Sequence, residues 1–363
     1  MRVGILGGGQ LARMLALAGH PLGLHVTVLD PKGHPCAASV ADHIQAEFTD
    51  SAALDRLAAA SDVVTYEFEQ VPEAAVAALA GQVPVKPGVR ALGTGRDRWH
   101  EKTLFHELGI PTARFAAVDV ADDLPAAIAE VGLPAVLKTR TLGYDGKGQE
   151  VLAKADDAGG AWQRLGERPL ILEEKVAFDR EVSVVAARDG DGDCRFYTLA
   201  ANAHREGILR QSTPQPADPV QPAAEANARA LMAHLDYVGV VALEMFQVGD
   251  HLLANEMAPR VHNSGHWTIE GAETSQFENH LRAVLGLPLG ATDPVGASAM
   301  LNLIGALPER RDVLAVPGAH LHFYDKLPRP GRKVGHITLR ADSADHLETG
   351  LGRLRPAVSP HPA

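Results

Sequence analysis

Short apolar runs alternate with amphipathic segments along the first hundred residues. Hydrophobic side chains at helical spacing predict helices, and the short runs between them, rich in β-branched residues, predict strands. The strands predicted in this way cover 2–7, 25–30 and 62–69, and the helices cover 10–23, 51–60 and 72–81. Alternation of strand and helix with short connections is typical of a parallel sheet covered by helices. This first unit ends near residue 98.

The pattern changes after that point, where a helix leads into a region richer in strands. The predicted strands are 135–140, 170–176, a pair within 181–200, 240–247 and 251–258, and the predicted helices are 98–111 and 223–236. A proline-rich stretch at 211–222 separates the two groups of strands. Further short strands are expected beyond residue 293, and the tail 355–363 is expected to fray.

Length and charge narrow the classes of protein that fit. The 363 residues suit two or three domains of ordinary size. The net charge of −11 argues against nucleic acid and anionic membranes as partners, since both select basic surfaces. Cys36 and Cys194 are the two cysteines, which disfavours a disulfide framework or a thiolate zinc site. The sequence shows neither the apolar core of a signal peptide nor a membrane span, so a cytoplasmic protein is expected.

A glycine turn follows the first strand. Gly7, Gly9 and Ala12 form a G-x-G-x-x-A pattern, which can present the backbone amides of a helix N-terminus to a phosphate. Asp30 ends the second strand, where a dinucleotide-binding fold has its ribose-binding acid. The turn is compatible with NAD, with another phosphate-bearing ligand, or with a tight turn that binds nothing.

A second loop, at 137–149, combines three glycines with several cations, and Lys138 stands at the end of its preceding strand. Such a loop can close over a triphosphate with backbone amides and positive charge. It lacks the spacing of a Walker A motif. The alternative is an exposed loop whose charges are solvated.

Two glutamates indicate a metal site. Glu244 and Glu256 lie on the two arms of a predicted hairpin, and a turn at Gly249 or Asp250 gives them one face. Like charges so close are costly unless a cation lies between them, and Mg²⁺ accepts one or two carboxylates while keeping positions for phosphate and water. The alternative is a pair of edge-strand glutamates that face solvent.

Cations also gather near the C-terminus of an acidic chain. Four of them surround a Pro-Gly turn, namely Lys326, Arg329, Arg332 and Lys333. This grouping favours a phosphate or carboxylate site over a solvated face.

Together these motifs occur in the order of the ATP-grasp fold. The segments 7–14, 66–69, 138–149, 255–268 and 324–337 resemble the N5-carboxyaminoimidazole ribonucleotide synthase family over residues 1 to about 340. The resemblance implies an α/β and α+β ATP-grasp protein with a Rossmann-like N-terminal domain at 1–97. It further implies an ATP-grasp domain at 98–290, with a lid at about 110–178, and a small β-rich domain at 291–363.

The resemblance also implies a reaction, the carboxylation of aminoimidazole ribonucleotide with bicarbonate and MgATP. Mn²⁺ is a possible substitute for Mg²⁺, and a homodimer is expected. By likeness, ATP is expected to contact Arg98, Lys138, Gly143, Tyr144, Asp145, Gly146, Lys147, Gly148, Gln149, Glu173, Glu174, Lys175, Val176, Glu181, His204, Asn255 and Glu256. Glu244 and Glu256 are the expected metal ligands.

The other roles carried over concern the second substrate and the chemistry. The nucleotide is expected to meet Gln10, Leu11, Glu67, Tyr144, Asp145, Ser264, Lys326 and Arg332. The residues expected to act in catalysis, around bicarbonate and carboxyphosphate, are Asp145, Lys147, Arg260, His262 and Asn263. Many relatives have arginine at Lys147 and several have proline at Val261, so these two contacts differ from the usual pattern.

Three other functions remain open on the sequence. One is a different ATP-grasp ligase, such as the formate-using glycinamide ribonucleotide transformylase. Another is an NAD-dependent dehydrogenase built on the glycine turn. The third is a nucleotide-binding module without catalysis.

Overall fold

The computed structural model describes residues 1–143 and 146–358. Its N-terminal region is a parallel sheet in the order β3-β2-β1-β4, covered by helices. The strands are β1 (Arg2–Leu6), β2 (His25–Asp30), β3 (Asp42–Gln45) and β4 (Val63–Tyr66), and the helices are α1 (Gln10–Gly19), α2 (Ser51–Ala59), α3 (Glu73–Ala80) and α4 (Val89–Arg96). The predicted parallel sheet is confirmed. Strand β3 was missed because its four residues are mostly polar, and β4 ends before the predicted limit of residue 69.

A helix and a small antiparallel layer follow. This layer has the strand order β5-β8-β6-β7 and falls within the predicted lid. Its elements are α5 (Arg98–Glu107), β5 (Phe115–Val118), α6 (Leu124–Val131), β6 (Ala135–Thr139), β7 (Gln149–Leu152), α7 (Ala158–Arg164) and β8 (Leu170–Glu174). The strands bury one face against α6 and α7, where Trp162 and several leucines form a core of their own.

The described residues beyond the lid build a nine-stranded sheet, ordered β14-β13-β9-β11-β12-β15-β17-β16 with β10 beside β9. Its strands are β9 (Arg180–Arg188), β10 (Cys194–Phe196), β11 (Ala200–Arg205), β12 (Ile208–Pro214), β13 (Gly239–Val248), β14 (His251–Ala258), β15 (Ala297–Ile304), β16 (Ala319–Phe323) and β17 (Lys333–Ala341). The helices around it are α8 (Gln221–His234), α9 (Thr268–Gly271), α10 (Gln276–Leu285), α11 (Arg310–Leu314) and α12 (Ala344–Val358).

Two expectations need correction here. The proline-rich stretch is not all linker, because its first residues, 211–214, complete β12. The C-terminal tail is helical as far as Val358, since α12 buries Leu347, Leu351 and Leu354 against the sheet; residues 359–363 lie outside the described part. The strands beyond residue 293 exist as predicted, but they extend the central sheet through pairing of β12 with β15. Within residues 1–143 and 146–358, no helix has the length and apolar character needed to cross a membrane.

Candidate active site

The predicted glutamate hairpin is present, and a bulge, which was not predicted, brings its two glutamates opposite each other. Glu244 on β13 pairs directly with Glu256 on β14, and a bulge interrupts the ladder immediately afterwards. The bulge accommodates Asn255 as an extra residue, which lets its side chain leave the strict alternation of the strand. The Oδ1 atom of Asn255 is buried without a hydrogen-bond partner among the described residues.

The two carboxylates are in different electrostatic environments. Burial and the neighbouring charge of Glu256 raise the pKa of Glu244 to about 7. Burial also opposes ionisation of Glu256, but its pKa is lowered because the Arg98 guanidinium donates a 2.7 Å hydrogen bond to Oε2. The raised pKa of Glu244 reflects the cost of a second negative charge beside Glu256, which a further cation would offset. Two carboxylates beside exposed space therefore fit Mg²⁺ as a donor set.

His262 links this pair to the loop that follows β14. Its Nε2 lies 3.1 Å from Glu244 Oε1, and its Nδ1 accepts a hydrogen bond from the Ser264 backbone amide at 3.3 Å. Because an amide can only donate, Nδ1 is unprotonated and Nε2–H donates to Glu244. Burial lowers the pKa of His262 well below its usual value, which agrees with a neutral ring. The Ser264 hydroxyl contacts both Nδ1 and Ser183, so the ring orientation is fixed from the sheet below.

A lysine–glutamate–lysine cluster lies at the lid side of the site. Lys138, at the end of β6, donates to Glu173 Oε2 at 3.0 Å, and the fully buried Lys102 lies 3.3 Å from the same atom. Burial opposes ionisation of Glu173, but these two ammonium groups hold its pKa at about 2. Lys102 also donates to the Ala254 carbonyl on β14. Sequence reasoning missed Lys102, whose place in a helix gave no signal.

Glu174 differs from Glu173 because neighbouring strand residues point to opposite faces. Its carboxylate accepts a hydrogen bond from Arg114 at 3.0 Å, away from Lys138. The backbone amides of Glu174 and Lys175 donate to the Arg114 and Pro134 carbonyls at 2.8 and 3.1 Å, so a nucleotide at this strand exit would have to use its carbonyl groups or the Val176 backbone.

The glycine-rich loop joins β6 to β7. Gly146 and Gly148 have φ values of +74° and +71°, which favour glycine, and a Cβ on Gly148 would lie 2.7 Å from the Thr139 hydroxyl. Gly146 lies against Gly207 in the turn between β11 and β12, so the loop reaches across to the central sheet. The remaining described residues of the loop, Gly143, Lys147 and Gln149, lie along this path. Tyr144 and Asp145 lie outside the described residues.

The floor of the site carries a second acidic contact. Glu181 on β9 and His204 on β11 approach to 2.6 Å between Oε2 and Nδ1. Burial opposes protonation of His204, but the neighbouring Glu181 carboxylate raises its pKa. Glu181 and Glu244 alternate onto the same face of the paired strands β9 and β13, since residues 181 and 183 oppose 246 and 244.

The N-terminal glycine turn is occupied by carboxylates. Glu67 accepts hydrogen bonds from the amides of Gly9 and Ala12, and Asp30 accepts one from Gly8 at 2.9 Å. A phosphate at this helix N-terminus would meet both acids, which disfavours a phosphate on these amides and favours the tight turn. Burial raises the pKa of Glu67.

Gln10, the first residue of α1, instead accepts a hydrogen bond from Lys326, which is distant in the sequence. The Lys326 ammonium lies 5.7 Å from the centre of the Tyr324 ring, and burial lowers its pKa. Leu11 is buried beside this contact, and Arg332 donates to the Leu327 carbonyl at 3.2 Å in the same turn. Four of the expected nucleotide residues, Gln10, Leu11, Lys326 and Arg332, thus come from the two ends of the chain.

Arg260 makes a contact that sequence reasoning did not assign. Its Nε and Nη2 donate to the two carboxylate oxygens of Glu69 at 2.6 and 2.9 Å. Glu69 lies two residues after Glu67, on the loop that leaves β4. Three residues after Arg260, Asn263 has its side-chain amide nitrogen and oxygen buried with no partner in the described part of the chain.

Family models match three parts of the chain. Residues 1–95 match a ribonucleotide synthetase preATP-grasp domain, 103–277 an ATP-grasp domain, and 298–349 the phosphoribosylaminoimidazole carboxylase C-terminal domain. These matches confirm the predicted fold class, whereas the finer limits at 97 and 290 stay a prediction.

Individual proteins are similar over the whole chain. The N5-carboxyaminoimidazole ribonucleotide synthase of Pseudomonas aeruginosa is 57% identical over 358 residues, which cover 99% of each chain. The crystal structure of the Thermus thermophilus synthetase has 56% identity and a TM-score of 0.95, again over 99% of each chain. The Aspergillus clavatus synthase, solved with ADP and 5-aminoimidazole ribonucleotide, has 32% identity and a TM-score of 0.92 over 99% of each chain. The chain is therefore an ATP-grasp enzyme that belongs to the N5-carboxyaminoimidazole ribonucleotide synthase family.

Proposed function

We propose that this enzyme carboxylates 5-aminoimidazole ribonucleotide with bicarbonate and ATP, in de novo purine biosynthesis. The products are N5-carboxyaminoimidazole ribonucleotide, ADP and phosphate. The observation that carries the proposal is a series of contacts and short chain segments that links the expected ATP residues to the expected nucleotide residues. Contacts join Lys138, Glu173, Lys102, β14, Glu256, Glu244 and His262. Arg260, two residues before His262, contacts Glu69, and Glu67, two residues before Glu69, contacts the α1 N-terminus, where Gln10 meets Lys326.

ATP binds between the lid and the central sheet in this proposal. Lys138 and Arg98 direct positive charge at the phosphates, and the loop from Gly143 to Gln149 covers them. Glu181 and His204 lie on the floor, where ribose hydroxyls can pair with the carboxylate. Glu244 and Glu256 hold Mg²⁺, or Mn²⁺ in its place, and the ion neutralises phosphate charge when bound.

The first chemical step activates bicarbonate. An oxygen of bicarbonate attacks the γ-phosphorus of ATP, the bond to the β-phosphate oxygen breaks, and ADP leaves. Arg260 and Asn263 supply donors for the carboxyphosphate that forms, and Lys147 supplies a point charge from the lid. Closure of the loop excludes water, which would hydrolyse this mixed anhydride.

The second step transfers the carboxyl carbon to nitrogen. The exocyclic amine of the nucleotide attacks that carbon, either in carboxyphosphate or in CO₂ released from it within the site. Phosphate leaves and the amine gives up one proton. Gln10, Leu11, Glu67 and Ser264 orient the nucleotide, and Lys326 with Arg332 binds its 5′-phosphate.

The decisive experiment measures phosphate release from ATP with and without bicarbonate and aminoimidazole ribonucleotide. We expect turnover to require both substrates and to collapse in CO₂-depleted buffer. Turnover that is unchanged in that buffer contradicts the carboxylase function. Turnover with formate and glycinamide ribonucleotide would favour the transformylase instead. An NAD-dependent dehydrogenase is disfavoured by the carboxylates on the glycine turn.

Three further features accompany the proposal. We propose a homodimer in the cytoplasm, on the basis of family likeness, with domain limits at 97/98 and 290/291. Size-exclusion chromatography with light scattering tests the homodimer, since the mass of a monomer would contradict it. Limited proteolysis tests the limits.

A further inference from the structure

The Arg260 guanidinium is bound along one of its two bidentate edges. Nε and Nη2 form the side edge, and both donate to Glu69. Nη1 donates one hydrogen to the Val261 carbonyl at 3.1 Å. An arginine has five N–H donors, so one remains on Nη1 and one on Nη2. No acceptor within residues 1–143 and 146–358 meets these two donors, and the one on Nη2 points to the end edge, between Nη1 and Nη2.

The contact between Glu69 and Arg260 is well shielded. The Arg260 side chain is 16% exposed and that of Glu69 is 26% exposed. Bidentate arginine–carboxylate pairs fix the plane of the guanidinium as well as its position. Burial opposes the charge of Arg260, but the Glu69 carboxylate keeps the pKa of the guanidinium raised.

The position of Glu69 in the fold connects two subsites. Glu67, two residues earlier, holds the α1 N-terminus beside Gln10 and Lys326. On the other side, Arg260 is followed by His262, which contacts Glu244 of the acidic pair. A single short loop after β4 therefore touches both the expected nucleotide site and the expected bicarbonate site.

We propose that Glu69 is a positioning residue that fixes Arg260 so that its end edge, Nη1 and Nη2, receives the planar oxyanion of bicarbonate and carboxyphosphate. Bicarbonate offers the same two-oxygen edge as a carboxylate, which the guanidinium fork matches. The nearby Asn263 amide, buried and unpartnered among the described residues, adds a donor and an acceptor at this place. This inference rests on the proposed function.

If Glu69 positions Arg260, loss of its charge has the opposite effect on the use of bicarbonate from the effect that electrostatics alone predicts. Glu69→Gln removes one negative charge near an anion site, so charge alone would improve bicarbonate binding. If Glu69 instead fixes the arginine, a freed guanidinium turns its end edge away. We then expect kcat/KM for bicarbonate to fall about ten- to hundredfold, the size expected for a small misplacement. The KM values for ATP and for the nucleotide should change by less than about twofold, because their contacts lie elsewhere.

The experiment uses the full chain and steady-state phosphate release with each substrate varied in turn. Glu69→Gln, Arg260→Gln and the double variant form a cycle, and Glu69→Asp keeps the charge but shortens the reach of the carboxylate. Glu73→Gln is the matched control, since Glu73 pairs with Arg96 at 3.4 Å and is 52% exposed. Thermal unfolding reports whether each variant is folded.

A positioning role gives a double variant no worse than Arg260→Gln, because Glu69 acts through the arginine. Glu69→Asp should show the same selective loss for bicarbonate if Glu69→Gln does not fold. Unchanged or improved kcat/KM for bicarbonate in the folded Glu69 variants overturns the inference, and so does an additive loss in the double variant. If phosphate release by the wild-type enzyme does not depend on bicarbonate, the proposed function is overturned, and the inference with it. Failure of the inference alone is distinguishable from this, because the wild-type enzyme then still requires bicarbonate.

Discussion

Glu244 and Glu256 are direct partners across the β13–β14 hairpin, and each is contacted by a different residue from outside it. Arg98, from the start of α5, donates to Glu256, and His262, from the loop after β14, lies against Glu244. Glu256 is thus paired with a cation from a separate helix, whereas Glu244 is paired with the neutral ring of His262. This asymmetry leaves the pair with excess negative charge, which a divalent cation offsets.

Replacement of Glu256 by glutamine should abolish ATP turnover. The change keeps the shape of the side chain but removes the charge needed for the metal and for Arg98. We expect phosphate release to fall at least about a thousandfold, because one part of the phosphate-neutralising set is lost. Because the Glu256 side chain is 38% exposed, the fold should persist. Phosphate release and thermal unfolding measure the two effects, and Glu107→Gln, at an exposed position on α5, is the control. Full activity in Glu256→Gln would remove the metal role.

Lys326→Ala should act mainly on nucleotide binding. The lysine contacts Gln10 and the Tyr324 ring, and it is the proposed partner of the 5′-phosphate. A contact made equally in the ground and transition states raises KM when lost and leaves kcat nearly unchanged. We expect KM for aminoimidazole ribonucleotide to rise about ten- to a hundredfold. Exposed Lys154→Ala should behave as wild type. A loss confined to kcat would contradict the phosphate role.

Some parts of the site could be predicted from the sequence because the residues that define them are close together in the chain. The hairpin is one example, since the turn at Gly249 could be placed from the sequence, although the bulge at Asn255, which brings Glu256 opposite Glu244, could not. Lys138 is another, because an apolar strand that ends in lysine before a glycine-rich loop aims the ammonium outward. The fold class followed from the alternation of strands and helices.

The parts that were missed depend on contacts between distant segments. Glu69 and Arg260 are 191 positions apart, and nothing in either segment indicates the other. Lys102 looks like any charged helix residue until Glu173 is brought against it. The sequence left the ligand of the glycine turn open for a related reason: its pattern predicts available amides but does not say which anion accepts their hydrogen bonds. Glu67, from another strand, does so here.

Lys102→Met tests the buried cluster. Lys102 is fully buried, and its ammonium contacts Glu173 at 3.3 Å and the Ala254 carbonyl at 3.1 Å. Its removal leaves Lys138 as the partner of Glu173 and takes the donor from that carbonyl. Loss of one member of a buried ion pair costs about 3–5 kcal/mol, so we expect the free energy of unfolding to fall by that amount. Urea unfolding measures it, with exposed Lys154→Met as control. A loss below about 1 kcal/mol would mean that the cluster relaxes without Lys102.

The last prediction concerns acid stability and His280. This ring lies between two domains, with Nδ1 accepting from the Val240 amide at 3.0 Å and Nε2 at 2.8 Å from the Thr65 hydroxyl. Burial lowers its pKa to about 4, so the unfolded chain takes up a proton between about pH 6.5 and 4 that the folded chain refuses. Stability therefore falls as the pH falls through that window, by about 2 kcal/mol for this group at pH 5.

Burial also lowers the pKa of His266 and of His336, so the informative quantity is the difference between His280→Gln and wild type. Urea unfolding at pH 7.5 and 5 should show a loss about 2 kcal/mol smaller in His280→Gln, whatever its stability at pH 7.5. The exposed His346→Gln should keep the wild-type pH dependence, and an equal loss in His280→Gln would show that His280 does not sense acid.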